Sequence, residues 1–146
     1  MVGVVPPAYP KLPTGRRLTP QRRLVYDTLA ATTTHPDAEQ LITLVRHQDP
    51  SISVATVYNT LRLLAEAGWL LELRGLGPKT RYDANTSEHD HFTCRICGTV
   101  EDIPAQHHGP FTLRGEGLDQ YRVDEVRVHA LGWCDQCLVE GPAQAD

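Results

Sequence analysis

The chain lacks the marks of several protein classes. No apolar run approaches the ~18 residues needed to cross a bilayer, and no membrane partner is expected. Residues 1–13 carry four prolines and little charge. They lack the basic-then-apolar order of a signal peptide, so residues 1–15 read as an extended Pro-rich arm of a cytoplasmic protein. His-Glu-x-x-His is missing, as is the His-x-Glu plus Pro-Cys-x-x-Cys pattern of zinc deaminases, and no Ser or Cys nucleophile motif appears. The chain is therefore not expected to be an enzyme. A zinc-stabilised adaptor that binds only protein is a further class open at this level.

Positive charge is also scarce, with a net −4 over 146 residues, but the average conceals a split. Residues 1–82 hold ten Lys/Arg against six Asp/Glu, a balance of +4. Residues 83–146 hold four against twelve, a balance of −8. A basic half that meets phosphate and an acidic half that holds cations would divide the work in this way.

What is present begins with helix signals. Thr19-Pro20 supplies an N-cap and a first-turn proline, followed by Leu24, Val25, Thr28 and Leu29 at helical spacing. Pro36-Asp37 opens a second helix with Leu41, Leu44 and Val45 on one face, broken at Asp49-Pro50. Ser53 to Ala67 forms a third, closed by Gly68, with Val54, Val57, Leu61, Leu64 and Ala65 as its buried face. Its outward residues Thr56, Tyr58, Asn59 and Arg62 are of the types that reach base edges and phosphates in a major groove. Residues 69–74 and 79–82 read as a hairpin with Arg74, Lys79 and Arg81 on or near it. The pattern describes a winged helix over residues 16–82. A helical packing module with a solvated charged face suits it too.

Residues 83–88 are polar and read as a hinge. In residues 89–138 strands are expected at 91–94, 99–103 and 121–128, with a weak helix between Pro104 and Gln120, and residues 139–146 read as a tail. Two Cys-x-x-Cys pairs, Cys94/Cys97 and Cys134/Cys137, offer two halves of a tetrahedral structural zinc site. Disulfides, or thiols that bind nothing, are the alternatives, and a chain without a secretion signal favours metal. His35, Asp83, His89, His91 and Asp102 form a second constellation, whose imidazoles and carboxylates suit iron(II), manganese(II) or zinc. The i, i+2 spacing of His89 and His91 puts both rings on one strand face. His107 and His108 have no partner spacing and stay unassigned.

The order Leu18-Thr-Pro-Gln-Arg22, His35-Pro36, Ser53-Val-Ala-Thr-Val-Tyr58, Arg81-Tyr-Asp83, His89-Asp-His91, Cys94-x-x-Cys97-Gly98 and Cys134-x-x-Cys137 resembles the ferric uptake regulator (Fur) family over residues 16–138. The resemblance implies an α+β chain: a winged-helix DNA-binding domain, then a small α/β dimerisation domain with structural zinc. It implies a homodimeric, metal-dependent repressor that binds palindromic, AT-rich double-stranded operators. The regulatory ion would be held by His35, Asp83, His89, His91 and Asp102, with Tyr58 and Asn59 facing bases and Arg17 the minor groove. Two aspartates in that set resemble the peroxide-sensing PerR branch, in which bound iron(II) and peroxide oxidise ligand histidines; the positions here would be His35 and His89. Manganese would support DNA binding without that reaction. A metal-uptake regulator answering to manganese, iron or zinc is the alternative. The family's further metal site places Glu and His where Gly109 and Val126 stand here, so that site is expected to be absent or altered.

Overall fold

Each of the first three helices starts where a short polar side chain satisfies the free N–H groups of its first turn. Thr19 Oγ1 accepts from Arg22 N ahead of α1, Pro20–Ala30. Asp37 and Gln40 close a reciprocal capping box on α2, Ala38–Gln48. Ser53 Oγ accepts from Thr56 N at the start of α3, Val54–Glu66. Gly68, at φ 75°, takes the left-handed conformation that ends α3. The antiparallel pair β1, Leu71–Leu73, and β2, Arg81–Asp83, completes the winged helix.

The structure, a computed structural model, describes residues 9, 12–13, 15–106, 112–124 and 126–140. Most of the expected arm, residues 141–146 of the tail, and His107, His108 and Gly109 lie outside them. The chain divides into two units, residues 1–86 and 87–146.

In the first unit Val25, Leu29, Leu41, Val45, Val57, Leu61 and Leu64 are sealed from solvent with Trp69. Replacing one of these leucines by Ala typically costs about 2–5 kcal/mol. Two details of the expected faces differ. Leu44 is exposed, and Ile42 is buried in its place. Ala38, Leu41, Ile42 and Val45 lie within one arc, and Leu44 falls outside it at about 100° per residue. On α3, Val54 is exposed and Ala65 only half-buried. Thr60 and Leu63 are buried instead, Thr60 Oγ1 donating back to Thr56 O at 2.7 Å.

The second unit is a three-stranded sheet in the order β4-β3-β5, built from β3, His89–Cys94, β4, Val100–Pro104, and β5, His129–Gly132. A short α4, Asp135–Glu140, follows. β4 pairs antiparallel with β3, and β5 parallel to it. The third strand is thus not the expected 121–128, which precedes it. Val128 N is taken by the Asp90 carboxylate at 2.8 Å, and pairing with β3 begins at His129. Gly132 fits beside the Phe92 ring, where a Cβ would stand 3.1 Å from Cε2. No helix occurs among the described residues of 104–120. The buried apolar residues described in this unit are Cys94, Val100 and Cys137, too few to hold a domain by burial alone.

Candidate metal centres and nucleic-acid face

The sheet assembles the cysteines. Cys94 ends β3, and its knuckle is closed by Gly98 N donating to Cys94 O at 3.0 Å and Cys94 N donating to Thr99 O at 2.9 Å. Gly98 sits at φ 74°, where a side chain would be strained. The β3/β5 register sets Cys94 opposite Gly132, and that brings in Cys134, whose N–H donates to Cys94 Sγ at 3.4 Å. Cys97 Sγ lies 3.7 Å from Cys134 Sγ, and all four sulfurs fall within 4.8 Å of one another. Tetrahedral zinc at Zn–S of about 2.3 Å places its sulfurs about 3.8 Å apart, so the cluster fits that ion with small adjustment. All four thiols are free. N–H donation from the Cys97 backbone, then from Cys134, brings the Cys94 thiol down to about 6, while burial pushes Cys137 up to about 12.

Each unit contributes some of the histidines and aspartates. In the first unit His35 is buried at φ 49°, an uncommon conformation outside glycine. Arg81 Nη1 donates to its carbonyl at 3.1 Å, and Tyr82 N donates to Pro36 O at 3.0 Å. These bonds lay residues 35–37 against β2 and bring His35 Nε2 within 3.6 Å of Asp83 Oδ2. Asp83, expected in the hinge, is the last residue of β2 and is buried.

In the second unit His89 and His91 share one face of β3, with their Nε2 atoms 3.0 Å apart. Asp102, opposite His91 on β4, sets Oδ1 at 3.3 Å from His89 Nε2 and 3.5 Å from His91 Nε2. The His89 Nδ1 position lies 2.8 Å from Ser87 O, an arrangement that leaves Nε2 as the ligating nitrogen. Two imidazoles and a carboxylate converging this closely suit a divalent cation of borderline hardness.

On α3, Tyr58, Asn59 and Arg62 are exposed, whereas Thr56 is half-buried with its hydroxyl 2.7 Å from Ser53 Oγ. Tyr58 lines a cavity of about 280 Å³ with Asp37, Glu39 and Lys79. Arg17 is exposed, and its carbonyl accepts from Arg22 Nη1 at 2.7 Å. The three wing cations are each engaged within the unit: Arg74 with Glu72, Lys79 with Glu39 and Asp37, Arg81 with the His35 carbonyl.

Sequence reasoning missed Asp90 and Tyr9. Asp90 is buried, and its carboxylate accepts from Gln106 N at 2.7 Å and Val128 N at 2.8 Å. Its place between two histidines was the available signal. Tyr9 stacks on Trp69, with ring centroids 5.8 Å apart, in a segment whose composition says only that it is Pro-rich.

Comparison with known proteins agrees with this architecture. The sequence model of the ferric uptake regulator family matches residues 13–110. The peroxide-responsive repressor PerR of Staphylococcus epidermidis is 32% identical over 127 residues, covering 87% of this chain and 85% of its own. Among solved structures, a Campylobacter jejuni peroxide stress regulator superposes with a TM-score of 0.62 at 30% identity, over 81% of this chain and 89% of its own. A zinc-bound manganese uptake regulator gives 0.60 at 27%, over 82% and 92%.

Proposed function

The chain belongs to the ferric uptake regulator family, and from that premise we propose a metal-dependent transcriptional repressor that senses hydrogen peroxide by oxidation of its own histidines. Family members are transcription regulators rather than enzymes, so the sensor is consumed rather than turned over. The observation that carries the reading is the donor chemistry: three histidines with two aspartates, Asp83 and Asp102, and no sulfur. Relatives named as peroxide-responsive repressors support it.

Cys94, Cys97, Cys134 and Cys137 would hold a structural zinc that has no open position for chemistry. His35 and Asp83 would join His89, His91 and Asp102 around one regulatory ion, iron(II) or manganese(II). An ion taking donors from both units fixes the DNA-reading heads of a homodimer, so occupancy sets affinity for a palindromic, AT-rich operator. Iron(II), when bound, supplies the electrons that cleave peroxide. The chain's part is to present imidazole carbon beside the ion, and His35 or His89 gains one oxygen. Tyr58 and Asn59 would face bases in the major groove, with Thr56 and Arg62 contacting the DNA beside them and Arg17 in the minor groove. A cytoplasmic setting fits this work, and no helix among the described residues is long and apolar enough to cross a membrane.

The test is peptide mass spectrometry of zinc-containing, iron(II)-loaded protein after a brief peroxide pulse, with a manganese-loaded control. A gain of one oxygen on the His35 or His89 peptide, in the iron sample only, is expected. Unmodified histidines with iron verified in the site would pass the assignment to a metal-uptake regulator, the reading favoured by likeness to the manganese uptake regulator.

A further inference from the structure

A second concave feature of the first unit is not used by the metal chemistry. A cavity of about 240 Å³ is lined by Arg16, Arg22, Asn59, Arg62, Leu63 and Glu66. It lies between the outward side of α3 and the segment leading into α1. Three arginines and one glutamate thus line it, and no ion pair joins any of the three arginines to an acid among the described residues. Even Arg62 and Glu66, spaced i, i+4 on α3, form none. Guanidinium groups gathered without a neutralising partner make an anion-seeking site, and their fork geometry matches phosphate oxygens.

The segment carrying Arg16 is held in place. Leu12 and Leu18 pack against the buried core on either side of it. Arg16 N donates to Pro13 O at 3.0 Å around Gly15, whose φ of 83° suits glycine. Arg22 Nη1 fixes the next carbonyl, that of Arg17. Arg16 is therefore presented on a turn pinned at both ends, so ordering it on binding costs less than ordering a loose arm. Asn59 is shared between this cavity and the exposed face of α3, and so the cavity adjoins the residues suited to reading bases.

We propose that this arginine cleft takes one phosphodiester of the DNA backbone, clamped by Arg16 from the segment before α1 and Arg62 from α3. The proposal rests on the DNA-binding reading above and adds a sequence-independent contact that sets the register of α3 in the groove. Glu66, which also lines the cleft, opposes a phosphate there by its charge.

The test uses full-length, zinc-containing, manganese-loaded protein and a mixed-sequence duplex, with affinity read by fluorescence anisotropy across a salt series. Arg16→Gln is expected to lower the slope of log affinity against log salt by about 0.9, the contribution of one phosphate. Its proportional loss should be equal on a mixed-sequence duplex and on DNA from the gene's own upstream region. Glu66→Gln should tighten binding, a gain that misfolding cannot imitate. An unchanged slope in Arg16→Gln, or a loss confined to upstream DNA, overturns the proposal. So does inorganic phosphate that binds wild type but not Arg16→Gln while both retain one duplex slope, since the cleft would then serve a free anion. Wild type that binds no duplex sinks the DNA-binding reading itself, a different result from any of these.

Discussion

Asp90 shows how one side chain separates two jobs on one strand. Alternation along β3 turns it away from the face that carries His89 and His91. Its two carboxylate oxygens receive the N–H groups of Gln106 and Val128, which join the strand to chain 16 and 38 residues away. Asp90→Asn keeps one acceptor and turns an NH₂ toward the other backbone N–H. Unfolding of the zinc-loaded variant in urea should show a loss of about 1–3 kcal/mol. Zinc content should stay at one per chain, while manganese affinity should fall because the histidine rings lose their support. An unaltered midpoint would deny Asp90 this role.

At the scale of elements, the first unit has a contact that ties the arm to the helices. The Tyr9 ring lies against Trp69 and edge-on to Tyr26, its hydroxyl donates to Asp27 Oδ1 at 2.9 Å, and Arg23 covers it at 4.8 Å. Tyr9→Ala should cost about 1 kcal/mol and shift Trp69 emission, best read in a Trp133→Phe background because Trp133 is exposed. Emission that ignores the substitution would mean that Tyr9 does not rest there in solution. The helices themselves were legible in the sequence because their signals are local. Thr19, Asp37 and Ser53 cap them within one turn, and Gly68 ends the third. Residues 121–128 read as a strand in the sequence, yet β5 begins at His129, because a parallel partner is chosen by β3 and by Asp90 rather than by neighbours in sequence. The same limit applied to the site. Ligand types and the His89/His91 spacing were readable, whereas the pairing of Arg81 with the His35 carbonyl depends on a fold that joins residues 46 apart.

For the whole molecule, metal and stability are linked through protons. Zinc takes thiolates, so its affinity rises with pH. In the metal-free cluster Cys137 keeps its proton until about 12, whereas Cys94 has lost its own above about 6. Near pH 8, zinc binding should therefore release a proton from Cys137 but almost none from Cys94. Below about 6 the dependence of log affinity on pH should steepen by one further proton, as Cys94 protonates. Competition with a chromophoric chelator on both sides of the Cys94 transition measures both slopes, and a single slope throughout would contradict the assignment.

The parallel pairing of β5 with β3 leaves no hairpin turn to fix its register, and a slip by one residue would reverse every side chain on the strand. The cysteine cluster then serves as a key for alignment: only the pairing that sets Gly132 beside Cys94 brings Cys134 to the other thiols. Zinc bound there would reinforce the one alignment that the Asp90 bond to Val128 already marks, so a metal-starved chain is expected to hold its last strand less firmly.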